Sequence, residues 1–123
     1  MRKISKTTSN TKAKLAINGS LWIESNGIRF FGPGPAELLQ HIEETGSIMN
    51  AAKKMKLSYK KAWEIVNRLN AVFSSPIVTT AAGGEKGGGS SVSEKGKSLV
   101  KYYKALRKRY TAFLNKETKE LIF

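Results

Sequence analysis

The sequence predicts a mainly α domain with small β elements, and three observations predict it. Ala62, Ile65, Val66, Leu69 and Phe73 follow the i, i+3, i+4, i+7 spacing of a helix with one buried face. Short β-prone runs bracket Asn26-Gly27 and, further on, a glycine-rich segment, which is how hairpins are written in sequence. Leu99, Tyr103, Leu106, Tyr110 and Phe113 then recur at the spacings of a helical seam, which needs one long C-terminal helix. A length of 123 residues suits a single core.

Residues 1–12 are polar and basic and are expected to form a flexible tail, with the folded domain over 13–123. Leu15, Ile17, Leu21 and Ile23 alternate with polar or small residues, and Ile28 and Phe30 resume the alternation. Asn26-Gly27 between them accepts the positive φ angles of a type I′ turn, so residues 20–25 and 28–31 are predicted as an N-terminal β-hairpin. Gly32-Pro33-Gly34-Pro35 ends the hairpin. Pro35 suits the first position of a helix that buries Leu38, Leu39 and Ile42 and stops at Gly46. His41 lies on this helix, at its surface or at the edge of the core.

Ser47 is a natural N-cap for a second helix to about Met55, and Ser58 for a third from Tyr59 to about Phe73. Pro76 forbids continuation. Residues 77–80 and 90–92 are short β-prone runs flanking Gly83-Gly84-Glu85-Lys86-Gly87-Gly88-Gly89. Ser93 caps the final helix.

Composition narrows the function. Twenty-two Lys and Arg against nine acidic residues give a formal charge of +13, a field that attracts a polyanion. There is no Cys and one His, and all nine acidic residues are Glu. A disulfide framework, a thiolate metal site and a serine triad therefore cannot be assembled, and no enzyme, cofactor or metal is expected. The absence of a long apolar run, and of an apolar stretch within the basic N-terminus, predicts a cytoplasmic protein. Gly96-Lys97-Ser98 matches the end of a phosphate-binding loop, but Ser91 stands where the motif needs its first Gly and no Asp exists to hold magnesium.

The segment 47–70 is predicted as a helix-turn-helix. Ala51-Ala52 is small enough for two helices to cross closely, and Ile48, Ala51 and Met55 face Leu57 in the turn. At about 100° per residue, Lys60, Glu64 and Asn67 lie opposite the buried stripe of the second helix, with Lys61 and Arg68 flanking them. Ser58, Tyr59, Lys60 and Lys61 occupy its first turn, where a recognition helix meets base edges and phosphates. Lys60 and Lys61 could donate to guanine or phosphate. Glu64 could accept from cytosine or orient Lys60 across one turn, and Tyr59 and Trp63 could pack on sugar or a thymine methyl. The turn needs a left-handed residue, and Lys56 stands there in place of Gly. Between its two strands the glycine-rich segment is predicted as a wing approaching the DNA backbone, with Lys86 adding a cation.

Several strings together resemble one family: Phe31-Gly-Pro-Gly-Pro-Ala-Glu-Leu-Leu, Thr45-Gly-Ser-Ile, Ala51-Ala52, Ser58-Tyr-Lys-Lys-Ala-Trp63 and the run Gly83–Gly89. They are similar to the N-terminal domain of the ModE-type molybdate-responsive regulators. The resemblance covers about residues 15–110 and implies a winged helix-turn-helix that binds operator DNA as a homodimer. Pro35 departs from a family pattern that usually has Arg there. The family's further oxyanion-binding domains have no counterpart before Phe123, so molybdate binding is not expected in this chain.

One recognition helix reads too few base pairs for genomic specificity, so a homodimer on a palindromic site is expected. The seam of Leu99, Tyr103, Leu106, Tyr110 and Phe113 is the expected dimer interface, with the helix of Leu38, Leu39 and Ile42 alongside it; the alternative is that the seam only closes the chain's own core. The function predicted is that of a sequence-specific transcriptional regulator. The alternatives are a winged helix that binds nucleic acid without sequence preference, and one used for protein contact.

Overall fold

The computed structural model of the chain describes residues 13–81 and 89–122. The tail expected over residues 1–12 lies outside them, as does Lys86. Among the described residues the elements run β1 (Ile23–Ser25), β2 (Ile28–Phe31), α1 (Pro33–Thr45), α2 (Ile48–Lys54), α3 (Tyr59–Val72), β3 (Val78–Thr80), β4 (Ser90–Val92) and α4 (Glu94–Lys119). Helix dominates. The strands form two separate antiparallel pairs, β1 with β2 and β3 with β4.

The first hairpin turns where the sequence predicts, with φ of 52° at Asn26 and 80° at Gly27. Its strands differ from expectation in extent and in sidedness. β1 begins only at Ile23, because residues 17–21 run along α4 instead of pairing. Ile17 N donates to Thr118 Oγ1 at 2.9 Å, and Tyr103 Oη donates to the Leu21 carbonyl at 2.7 Å. The ladder is also irregular: Ile23 faces Phe31 and Glu24 faces Arg29, which leaves Phe30 as an extra residue. A regular strand would send Phe30 and Phe31 to opposite faces. The bulge lets both reach the core, while Ile28, expected inside with Phe30, is 63% exposed.

Helix α1 starts two residues earlier than expected, with Gly32 as N-cap and Pro33 in the first turn. The first backbone N–H groups of a helix have no partner within it, so both prolines fit there. Gly46 closes α1 at φ 70°, its N–H donating to the Ile42 carbonyl at 2.7 Å. Ser47 and Ser93 cap α2 and α4 through hydrogen bonds from Asn50 N and Gly96 N.

The core sits where α1, α2 and α3 meet the two hairpins. Phe31, Leu38, Leu39, Ile42, Ala51, Ala62, Leu69 and Ile77 have no exposed surface. α4 approaches β3 and β4 through Gly96, where a Cβ would lie 2.6 Å from Val92 Cγ1 and 2.8 Å from the Ile77 carbonyl oxygen. Tyr103 closes the core from α4, its ring edge-on to Phe31 at 5.2 Å.

Candidate nucleic-acid interface

Helix α3 carries the exposed charge at issue. Ser58 caps it, its hydroxyl accepting from Lys61 N at 3.0 Å. That bond satisfies one of the free N–H groups of the first turn and fixes where Tyr59, Lys60 and Lys61 leave the backbone. Ala62, Val66 and Leu69 are buried, and Ile65 and Phe73 are half-buried beside them. Lys60, Glu64 and Asn67 are exposed on the opposite side, with Lys61 and Arg68 exposed on one flank. The stripe predicted from spacing is therefore the stripe that the fold buries.

On the other flank, Tyr59 and Trp63 meet edge to face, with centroids 6.2 Å apart at 84°. Tyr59 is exposed and Trp63 half-buried. A cleft of about 260 Å³ separates this pair from Thr80, Gly89 and Ser90 at the base of the second hairpin. Among the described residues, ion pairs involve only His41, with Glu37 and Glu44, and Lys97, with Glu43 and Glu94. Lys60 and Glu64 thus do not pair across the helical turn. His41 is a helix-surface residue between two carboxylates.

The turn from α2 to α3 uses Lys56 at φ 57°, the left-handed position expected there. Leu57 N donates back to the Ala52 carbonyl at 2.9 Å, which tightens the corner over Ala51 and Ala52. Both alanines are buried.

Asn70, which spacing alone did not single out, ties α3 to the second hairpin. Its Oδ1 accepts from Ile77 N at 2.8 Å and from Val78 N at 3.0 Å, and its Nδ2 donates to the Val78 carbonyl at 3.1 Å. Ser90 N adds a second tie, to the Gly46 carbonyl at 2.9 Å. One strand of the hairpin is thus tied to α3 and the other to the end of α1. The available signal was an Asn on the flank of an apolar stripe, just before a proline break, where a half-buried amide needs backbone partners.

The expected dimer residues are divided by the fold. Tyr103 is 1% exposed within the single chain and belongs to its own core, so it has no surface left for a partner. Leu99 packs partly on that core. Leu106 and Tyr110 are half-buried, and Gly19 of the N-terminal segment lies against the Tyr110 hydroxyl. Phe113 is 56% exposed. Of the five, Phe113 is the one that stands clear of the chain's own packing.

Among the described residues no group of three or more His, Cys, Asp or Glu side chains is placed to hold a metal ion. No described helix is long and apolar enough to cross a membrane. What remains is a capped helix offering cations and amides on one face, flanked by two hairpins.

The chain is similar to ModE regulators. It is 39% identical over 84 residues to the molybdenum transport protein ModE of Azotobacter vinelandii, covering 68% of this chain and 31% of that protein. It is 37% identical over 99 residues to the molybdenum-pterin-binding protein MopB of Rhodobacter capsulatus, covering 80% and 36%. The DNA-binding transcriptional dual regulator ModE of Escherichia coli K12 is 38% identical over 77 residues, covering 63% and 29%. The chain spans about a third of the length of these curated relatives. No family model matches it.

Proposed function

We infer that this chain is a winged helix-turn-helix that binds DNA and regulates transcription. The observation that carries the reading is the capped α3, with Lys60, Glu64 and Asn67 presented opposite a buried stripe. A helix so presented fits the major groove, which is about 12 Å wide. Lys60 and Lys61 donate to guanine edges or phosphates, Asn67 and Glu64 read adenine or cytosine, and Ser58, Tyr59, Trp63 and Arg68 contact the sugar–phosphate wall. β3 and β4 form the wing, and Lys86 adds a backbone contact. The similarity to proteins named as DNA-binding transcriptional regulators supports this reading.

The chain binds a palindromic operator as a homodimer, through the part of α4 that Phe113 marks, and acts in the cytoplasm. DNA binding is the role assigned to it. Lys60→Ala and Lys61→Ala each weaken operator binding by roughly 1–3 kcal/mol where the lysine contacts a base. Fluorescence anisotropy on the parent's operator tests this. Two variants that bind as tightly as the parent would remove α3 from the interface.

A further inference from the structure

A second cleft, of about 230 Å³, lies on the opposite flank of α3, between that helix and the first hairpin. Arg29, Lys61 and Arg68 line it, with Trp22, Ile65 and Pro35. No carboxylate lines it, and no carboxylate of the described residues forms an ion pair with any of its three cations. Glu24 is the cross-strand neighbour of Arg29. The guanidinium turns instead to the Trp22 ring, 5.4 Å from its centroid.

The placement of Arg29 follows from the chain. A Cβ at Gly32 would sit 2.5 Å from Trp22 Cδ2, so glycine is what lets the indole lie across the entry to α1. The ring face then seats the guanidinium through a cation–π contact, which limits the conformations Arg29 samples. Three like charges gathered without a counter-charge repel one another, and an anion relieves the repulsion.

Geometry selects the anion. Lys61 and Arg68 are seven residues apart on one flank, about 10 Å along the helix axis. A helix in the major groove has a phosphate strand on either side. The Tyr59 and Trp63 flank faces the β3–β4 side, and the Lys61 and Arg68 flank faces this cleft. We propose that the cleft grips a backbone phosphate of DNA, so that the first hairpin holds one wall of the groove while the wing holds the other. Arg29 and Arg68 supply charge-assisted hydrogen bonds, and Lys61 supplies a point charge. The proposal rests on the DNA-binding reading and adds the N-terminal hairpin to it.

The test is a salt titration of DNA affinity for the parent, Arg29→Ala and Arg29→Lys, with circular dichroism as the check on folding. Arg29 is exposed and outside the core, so both variants fold. Arg29→Ala weakens binding to operator and to unrelated DNA by the same factor. The dimer loses one phosphate contact per protomer, so its slope of log affinity against log salt is shallower by about 1.8, which narrows the gap to the parent about 12-fold between roughly 50 and 200 mM salt. Arg29→Lys keeps the parent's slope. An unchanged slope in Arg29→Ala, with the parent still binding, overturns the hairpin contact and leaves α3 in place. No affinity of the parent for any DNA at low salt overturns the DNA-binding reading and the phosphate grip together. A third arm adds inorganic phosphate at constant ionic strength. If phosphate raises the melting temperature of the parent but not of Arg29→Ala, and the DNA slope is unchanged, the cleft is a free-anion site and the backbone contact is wrong.

Discussion

Asn70 spends its whole amide on the backbone of one strand. Replacing it with Ala leaves the Ile77 and Val78 N–H groups without partners, at positions that are buried. An unsatisfied buried donor costs about 1–3 kcal/mol. Asn70→Ala is therefore expected to lower stability by about 2 kcal/mol and to speed amide hydrogen exchange at Ile77 and Val78 above that at α1. Asn70→Asp keeps the acceptor and recovers part of the loss. Tyr103 gives a second measurement at this scale. Burial pushes its phenol above the ordinary 10.0, with the Arg107 charge pulling the other way. A folded-state value above the unfolded one means the unfolded chain loses its proton first as pH rises. The stabilisation is complete below pH 10 and declines above it. In Tyr103→Phe, melting temperatures followed from pH 8 upward lack this part of the alkaline decline. Neither residue's role can be read from spacing, because Asn70 acts on residues seven and eight positions away and Tyr103 acts on Leu21. Such contacts exist only once the chain has folded.

At the scale of elements, local chemistry was legible and long-range geometry was not. The caps at Ser47, Ser58 and Ser93, the stop at Gly46, the turn at Asn26-Gly27 and the left-handed Lys56 all lie where side-chain and backbone rules put them. Those rules act over three or four residues, so a sequence displays them directly. The bulge at Phe30 and the docking of residues 17–21 on α4 depend on what lies across the core, and the alternating pattern misled on both. Two substitutions test elements. A non-glycine residue in the left-handed region costs about 1–2 kcal/mol, and glycine gives back about half through its freer unfolded chain. Lys56→Gly is expected to stabilise by about 0.5–1 kcal/mol, a rise of a few degrees in melting temperature. Gly96→Ala forces α4 away from Val92 and Ile77 and destabilises by about 1–3 kcal/mol.

Across the whole molecule, α3 sits between two hairpins, each fixed by a different device. The second hairpin is held by the Asn70 amide and the Gly46 carbonyl, the first by the two phenylalanines that the bulge turns inward. The exposed face of α3 was legible because burial follows a period of 3.6 residues. The seam on α4 shows the same period, yet its first half closes the chain's own core. Periodicity identifies a buried face without saying which surface buries it. Phe113, on the clear part of α4, separates those uses. Phe113→Glu leaves melting of the single chain little changed, and in sedimentation it shifts the dimer proposed here toward monomer.

The central claim, that α3 reads DNA, is tested most directly by selecting bound sequences from a random duplex pool with the parent chain. The account predicts a bounded consensus with two inverted half-sites, about one helical turn or a multiple of it apart. It also predicts altered base preference in Lys60→Ala. A pool that shows no enrichment, with affinity set only by salt, would contradict it.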